Sequence, residues 1–201
     1  MIGSAEKLKN LLLFTSNNMK KTLLSSYDNK WYHPGSKFKI VLWYIINLIT
    51  INSSIPIPSS AKRRLLILFG AQIGKKFTIK PQVQIKYPWK LIVGHNVWIG
   101  ENVWIDNLGS TIIEDNVCIS QGAMLLSGNH DYTKSSFDLI VKDIKLEEGS
   151  WVGAKSIVCP GVTMFSHSIL AVGSVANKNL SSYSVYQGNP AIKIRERKIR
   201  E

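Results

Sequence analysis

From Ile73 to Leu170 an aliphatic residue returns every sixth position, and few folds can accommodate that period. The register reads Ile73, Ile79 and Ile85, then, after a two-residue insertion, Val93, Ile99 and Ile105, and after another of the same size Ile113, Ile119 and Leu125. It resumes at Leu146 and runs through Val152, Val158, Met164 and Leu170. A unit of six supplies one short strand and one turn, so it cannot bury its apolar face alone and must stack on its neighbours. The segment between Leu125 and Leu146 is inserted into a finished pattern. An insertion that leaves a rigid scaffold intact is a loop, and loops of that kind carry function.

Within many hexads the residue after the aliphatic one is small or acidic, as at Gly74, Gly94, Gly100, Glu114, Ser120 and Gly153. Three places after it stand Asn96, Asn102, Asn116, Gly122 and Gly149, residue types that tolerate positive φ at a sharp corner. The fourth place is apolar or small, for example Phe77, Val97, Val117 and Ser156. Side chains i and i+4 are therefore expected to meet inside a narrow prism. Three hexads make one coil of a parallel β-helix, so the fourteen repeat starts predict about four to five coils. At roughly 4.8 Å per coil the prism is a little over about 20 Å tall. The period does not set its handedness.

The 201 residues suit one repeat domain with extensions. We expect a helical extension over 1–70 with a capping helix at about 60–70, a β-helix over 71–178 with an inserted loop at about 127–145, and a basic tail over 179–201. The net charge of +12 is unevenly spread: residues 1–70 hold ten Lys or Arg against two acids, 71–190 ten against nine, and 191–201 five against two. A basic arm suits nucleic acid or an anionic membrane, but no groove-reading helix or zinc-finger spacing accompanies this one, so nucleic acid is not expected.

The run FKIVLWYIINLITI from Phe38 to Ile51 is apolar on nearly all sides and too short to span a bilayer about 30 Å thick. It reads as a helix packed on the solenoid or on a neighbouring subunit, with an interfacial membrane helix as the alternative. Lys7 and Lys9 precede only LLLF, too few apolar residues for a secretory leader, so a cytoplasmic protein is expected. After Pro56 and Pro58, Ser59 or Ser60 can cap a short helix that stops at Gly70, where it would cover the open end of the prism. Cys118 and Cys159 lie within hexads and read as buried reduced thiols.

The inserted segment is LLSGNHDYTKSSFDLIVKDIK, and His130 is its candidate for chemistry. An imidazole titrating near neutrality can take a proton from an alcohol, and this one stands at the root of the long excursion.

The run IKYPWKLIVGHNVWIGENVWIDNLGSTIIEDNVCISQGAMLLSGNHDYT, with FGAQIG before it and WVGAKSIVCPGVT and YQGNPAIKIR after it, resembles the colanic acid biosynthesis acetyltransferases. These are hexapeptide-repeat O-acetyltransferases, alongside galactoside, maltose and nodulation-factor acetyltransferases. YPWK, DNVCISQGA and GNHD together point to the subfamily, and the similarity covers roughly residues 60–198. The resemblance implies a mainly β, left-handed parallel β-helix. It also implies acetyl-CoA as co-substrate, no metal, and a homotrimer with active sites between neighbouring prisms. His130 occupies the position of the general base. Asp106, with Asn107 beside it, falls at a corner where relatives contact the acceptor, and Asp131 is placed to orient the acceptor or cap the loop. Ala154, Gly173, Lys178 and Arg195 match positions that line the CoA arm or lie near its phosphates, whereas Val172 and Asn177 depart from the family's usual Ala and Thr.

The implied acceptor is a sugar hydroxyl in an exopolysaccharide, capsule or O-antigen precursor, free or lipid-linked. The apolar arm beside basic residues then leaves room for peripheral contact at the inner face of the cytoplasmic membrane. The alternatives are acetyl transfer to a xenobiotic or a free glycoside, and a non-catalytic β-helix scaffold. A zinc enzyme on the same solenoid would need three converging histidines. The four present, His33, His95, His130 and His167, are widely spaced and include no close pair.

Overall fold

A computed structural model describes Glu6 and residues 20–200. The Lys7, Lys9 and LLLF segment lies outside the described residues. There are two compact units. The larger joins His33–Asn129 to Val141–Glu201, and the smaller joins the described residues before His33 to His130–Ile140.

In the larger unit the hexads wind into a parallel β-solenoid of three sheets. The first sheet runs through Gln72–Ile73, Leu91–Val93, Thr111–Ile113, Ile144–Leu146 and Thr163–Met164, with Leu180 bridging Met164. The second runs through Thr78–Ile79, Trp98–Ile99, Cys118–Ile119, Trp151–Val152, Ile169–Leu170 and Ser184–Gly188, and the third from Gln84–Ile85 to Val175–Ala176. The ladder pairs Ile73 with Val93, Val93 with Ile113, Ile113 with Leu146 and Leu146 with Met164, so equivalent hexad positions stack directly. The solenoid has about 6 turns, more than the repeat count predicts. Past Leu170 the winding continues through Ala176 in phase, then Leu180 and Val185, all buried. The strand Ala191–Glu196 then folds back antiparallel on Ser184–Gly188 and closes that end of the second sheet.

All fourteen repeat-start residues are buried, and in the eleven hexads not followed by an insertion so are the residues four places on, from Phe77 and Val83 to Ser156 and Ser168. The prism is filled by these two columns, which is why each hexad carries one large and one smaller inward residue. Three places after the aliphatic residue, eleven hexads turn with positive φ. The residues are Asn or Gly at Asn96, Asn102, Asn116, Gly122, Gly149, Gly161 and Gly173, but also Lys76, Gln82, Lys155 and His167. The stack imposes the corner even on side chains that disfavour the left-handed region by about 1–2 kcal/mol.

The three hexads without that corner begin at Ile85, Ile105 and Leu125, and each is followed by an insertion. All three insertions therefore fall at the same corner, between the third and first sheets. The first is the short 3₁₀ turn Pro88–Lys90, the second contains Asn107, and the third is the long loop.

Two helices in the larger unit dress the first coil. Helix α1, Lys37–Ile49, is capped by the Ser36 hydroxyl, which accepts from the Lys39 N–H. Its Trp43 is buried, donates Nε1–H to the Ile85 carbonyl at 2.8 Å, and meets the Phe69 ring at 5.0 Å. Helix α2, Ser59–Leu68, covers the open end. The Ser59 hydroxyl accepts from the Ile79 N–H at 3.1 Å and donates to the Ile79 carbonyl at 3.2 Å. Buried Lys62 donates to the Lys80 carbonyl, and Arg63 donates to the carbonyls of Ile73 and Gly74. Polar side chains of a helix thus satisfy strand groups that would otherwise be an unpaired edge. Burial pushes the Lys62 pKa down.

Both cysteines are free and half-buried instead of buried. Ile119 and Val158 take the core slots beside them, which leaves Cys118 facing outward between Trp98 and Trp151. Burial pushes both thiol pKa values up.

Candidate active site

The loop leaves and returns through paired strands, Gly128–His130 and Leu139–Val141, and its His130–Ile140 part belongs to the smaller unit. Beyond His130 the Asp131 N–H donates to the Asp138 carbonyl at 2.8 Å. Phe137 closes a turn by donating its N–H to Lys134, and Lys134 reaches the Asp138 carboxylate at 3.1 Å. Phe137 itself has φ of +54°. In that conformation its carbonyl lies 2.9 Å from His130 Nδ1, and its ring stacks on the imidazole at 4.5 Å and 8°. Tyr27 meets the same imidazole at 5.8 Å, and the Leu23 N–H donates to the Ser135 carbonyl at 2.7 Å. The residues before His33 therefore help build the surroundings of His130, a role their sequence does not signal.

A carbonyl only accepts, so Nδ1 carries the proton and the neutral imidazole has its lone pair on Nε2. That is the tautomer required of a base acting through Nε2. Asp131 holds the turn: its Oδ1 accepts from the Thr133 hydroxyl at 2.5 Å and N–H at 3.0 Å, and these bonds lower its pKa.

In the larger unit Asp106 and Asn107 part company. Ile105 points into the prism, so Asp106 faces outward, where it pairs with Lys86 at 2.8 Å. It lines a cavity of about 210 Å³ with Trp104, Lys86 and Tyr87 below and Trp43, Tyr44 and Asn47 of α1 above. Burial raises the Tyr87 pKa. Asn107 has no exposed surface; its amide accepts from the Tyr87 N–H at 2.9 Å and donates to the Tyr87 carbonyl at 2.7 Å. It is a strut between successive insertions at the corner, and of the two residues Asp106 is the one that faces the cavity.

Along the second sheet, Ala154 and Arg195 share a groove of about 470 Å³ with Ser120, Gln121, Trp151 and Val172. Trp151 fixes its indole by donating to the Ser120 hydroxyl at 2.8 Å. The groove runs on past Arg195 into a second one of about 640 Å³, lined by Arg197, Lys198 and Arg200. Gly173 stacks one coil beyond Ala154, donating to its carbonyl at 2.9 Å, while Lys178 is exposed; neither lines the groove. Sequence reasoning passes over Trp151, though its position just before a core valine places it outward on the sheet. Among the described residues no group of three or more His, Cys, Asp or Glu is gathered as a metal would need.

No family model matches the chain. It is 35% identical over 168 residues to the colanic acid biosynthesis acetyltransferase WcaF of Escherichia coli K12, spanning 84% of this chain and 92% of that one. To galactoside O-acetyltransferase of the same organism it is 26% identical over 144 residues, 69% and 71% of the two chains. Among solved structures, the hexapeptide-repeat acetyltransferase VCA0836 of Vibrio cholerae, complexed with acetyl-CoA, superposes with a TM-score of 0.72 at 22% identity over 81% of this chain and 89% of that one. A galactoside acetyltransferase in complex with coenzyme A gives 0.71 at 23% identity over 79% and 80%. These two are likenesses of fold. The solenoid and the relatives together define a hexapeptide-repeat acetyltransferase. Within that class, the chain belongs to the family of WcaF, the colanic acid biosynthesis acetyltransferase.

Proposed function

We propose that this protein is an O-acetyltransferase that moves the acetyl group of acetyl-CoA directly to a sugar hydroxyl of an exopolysaccharide, capsule or O-antigen precursor. The observation that carries the reading is the hydrogen bond from His130 Nδ1 to the Phe137 carbonyl, because it leaves Nε2 as the basic nitrogen. Nε2 takes the proton of the acceptor hydroxyl as its oxygen adds to the thioester carbonyl. The tetrahedral adduct then collapses, the C–S bond breaks, and the imidazolium proton goes to the departing CoA thiolate. A thioester is already activated, so alignment and a positioned base suffice without an acyl-enzyme.

Asp106 takes the acceptor, and Asp131 keeps the turn after His130 in place. Ala154 and Arg195 serve acetyl-CoA, with Ala154 along the pantetheine arm and Arg195 toward the phosphates. The active form is a homotrimer with sites between prisms, working in the cytoplasm at the inner face of the membrane.

The test is CoA thiol release across a panel of nucleotide sugars, free glycosides and lipid-linked oligosaccharides. His130→Ala is expected to keep its oligomeric mass and lose about 10²–10⁴ of the transfer rate. An unchanged rate would sink the reading.

A further inference from the structure

We infer that the outer face of helix α1 is a docking surface for an anionic lipid bilayer, and that the acceptor is accordingly a membrane-anchored saccharide. The inference rests on the proposed acetyl transfer for its second half only.

Helix α1 is held to the solenoid by Trp43, Asn47 and the Ile85 carbonyl. Its opposite side is bare. Phe38, Val41, Ile45, Leu48 and Ile49 are each more than half exposed, Phe38 at 78%. Positions 38, 41, 45 and 48 form one helical stripe about 15 Å long. Such a contiguous apolar patch marks a binding surface. The helix is already folded against the prism, so engaging a surface costs no helix formation.

The charge around the stripe selects the occupant. From His33 to Gly100 there are ten Lys or Arg and no Asp or Glu. Lys62 and Arg63 cap strands and Lys86 pairs with Asp106, but Lys37, Arg64, Lys75, Lys76 and Lys80 are exposed on α1, α2 and the first coil. Lys37 opens the helix that carries the stripe. A second copy of this chain docked through the same face would bring an equally basic, acid-free surface against it. An anionic bilayer supplies both the apolar layer and the opposite charge that an interfacial helix with basic flanks engages.

The inner side of the same helix lines the Asp106 cavity through Trp43, Tyr44 and Asn47. One helix thus separates a lipid-facing surface from the pocket assigned to the acceptor, an arrangement that suits a saccharide whose anchor stays in the bilayer.

The experiment is sedimentation of the full chain with phosphatidylcholine vesicles and with vesicles that also contain phosphatidylglycerol. Binding is expected to be at least about tenfold tighter with phosphatidylglycerol and to weaken with salt. The variant I45E/L48E should lose that binding while keeping thiol release with any soluble acceptor the wild type uses. K37E/R64E should weaken it through charge alone. No binding to the anionic vesicles, or full binding by I45E/L48E, overturns the proposal. So does a change in oligomeric mass of I45E/L48E by light scattering, which would make the face a subunit interface. Vesicle binding without thiol release from any acceptor would instead count against the acetyl-transfer reading and leave the lipid surface standing.

Discussion

At φ of +54°, Phe137 occupies a region that costs a residue bearing a Cβ about 1 kcal/mol or more. In that conformation it presents its carbonyl to His130 Nδ1 and its ring to the imidazole face. Phe137→Gly would keep the backbone conformation and the carbonyl but remove the stacked ring. Transfer is then expected to fall about tenfold in kcat, an amount set by loss of orientation, with KM for acetyl-CoA unchanged and Phe137→Tyr near wild type. Nitrogen-15 spectra of the imidazole should show one tautomer, protonated at Nδ1, in the wild type and in the glycine variant alike, because the carbonyl that sets it is kept; an unchanged kcat would refute the positioning role of the ring. None of this could be read from the sequence. A phenylalanine seven residues after a histidine has no pattern, and the contact depends on a left-handed residue that propensity argues against. Asp106 and Asn107 show the complementary case. The sequence places both at the corner, but strand alternation about Ile105 and the Tyr87 backbone decide that one faces a cavity and the other is buried.

The two helices differ in how much of their role is written in sequence. For α2, the prolines, the serines and Gly70 mark a short helix before the first hexad. What it does with its basic residues appears only in three dimensions, where Lys62 and Arg63 turn toward strand carbonyls rather than water. Arg63→Ala leaves two carbonyls short of a donor and is expected to lower stability by about 1–3 kcal/mol, read from the midpoint of urea unfolding; no shift would mean that water replaces the guanidinium. For α1, the segment is apolar almost all round, so periodicity cannot say which side is buried. Packing chose Trp43 and Asn47, a tryptophan with a carbonyl to bond and an amide, and left Phe38 exposed. An apolar count alone would have chosen otherwise.

Across the whole molecule, the groove along the second sheet joins residues distant in sequence: Ser120 from one coil, Trp151 and Ala154 from the next, and Arg195 from the closing strand. If acetyl-CoA lies there, Arg195→Ala should raise KM for acetyl-CoA about tenfold with kcat nearly kept, since a phosphate contact far from the thioester contributes uniform binding. Steady-state kinetics with varied acetyl-CoA checks this, and an unchanged KM would remove Arg195 from the nucleotide end. Lys178, expected near the phosphates by resemblance, is exposed and does not line this groove.

The sequence by itself determined the solenoid, its inward columns, its corners and the place where the loop interrupts it. Those features repeat, and each hexad meets only copies of itself, so local pattern is enough to specify them. Tertiary structure decided the ring that stacks on His130, the sheet that carries the groove and the side of α1 that stays bare. Each of these is a meeting of residues that do not repeat, and its geometry is set by the packing of segments far apart in the chain.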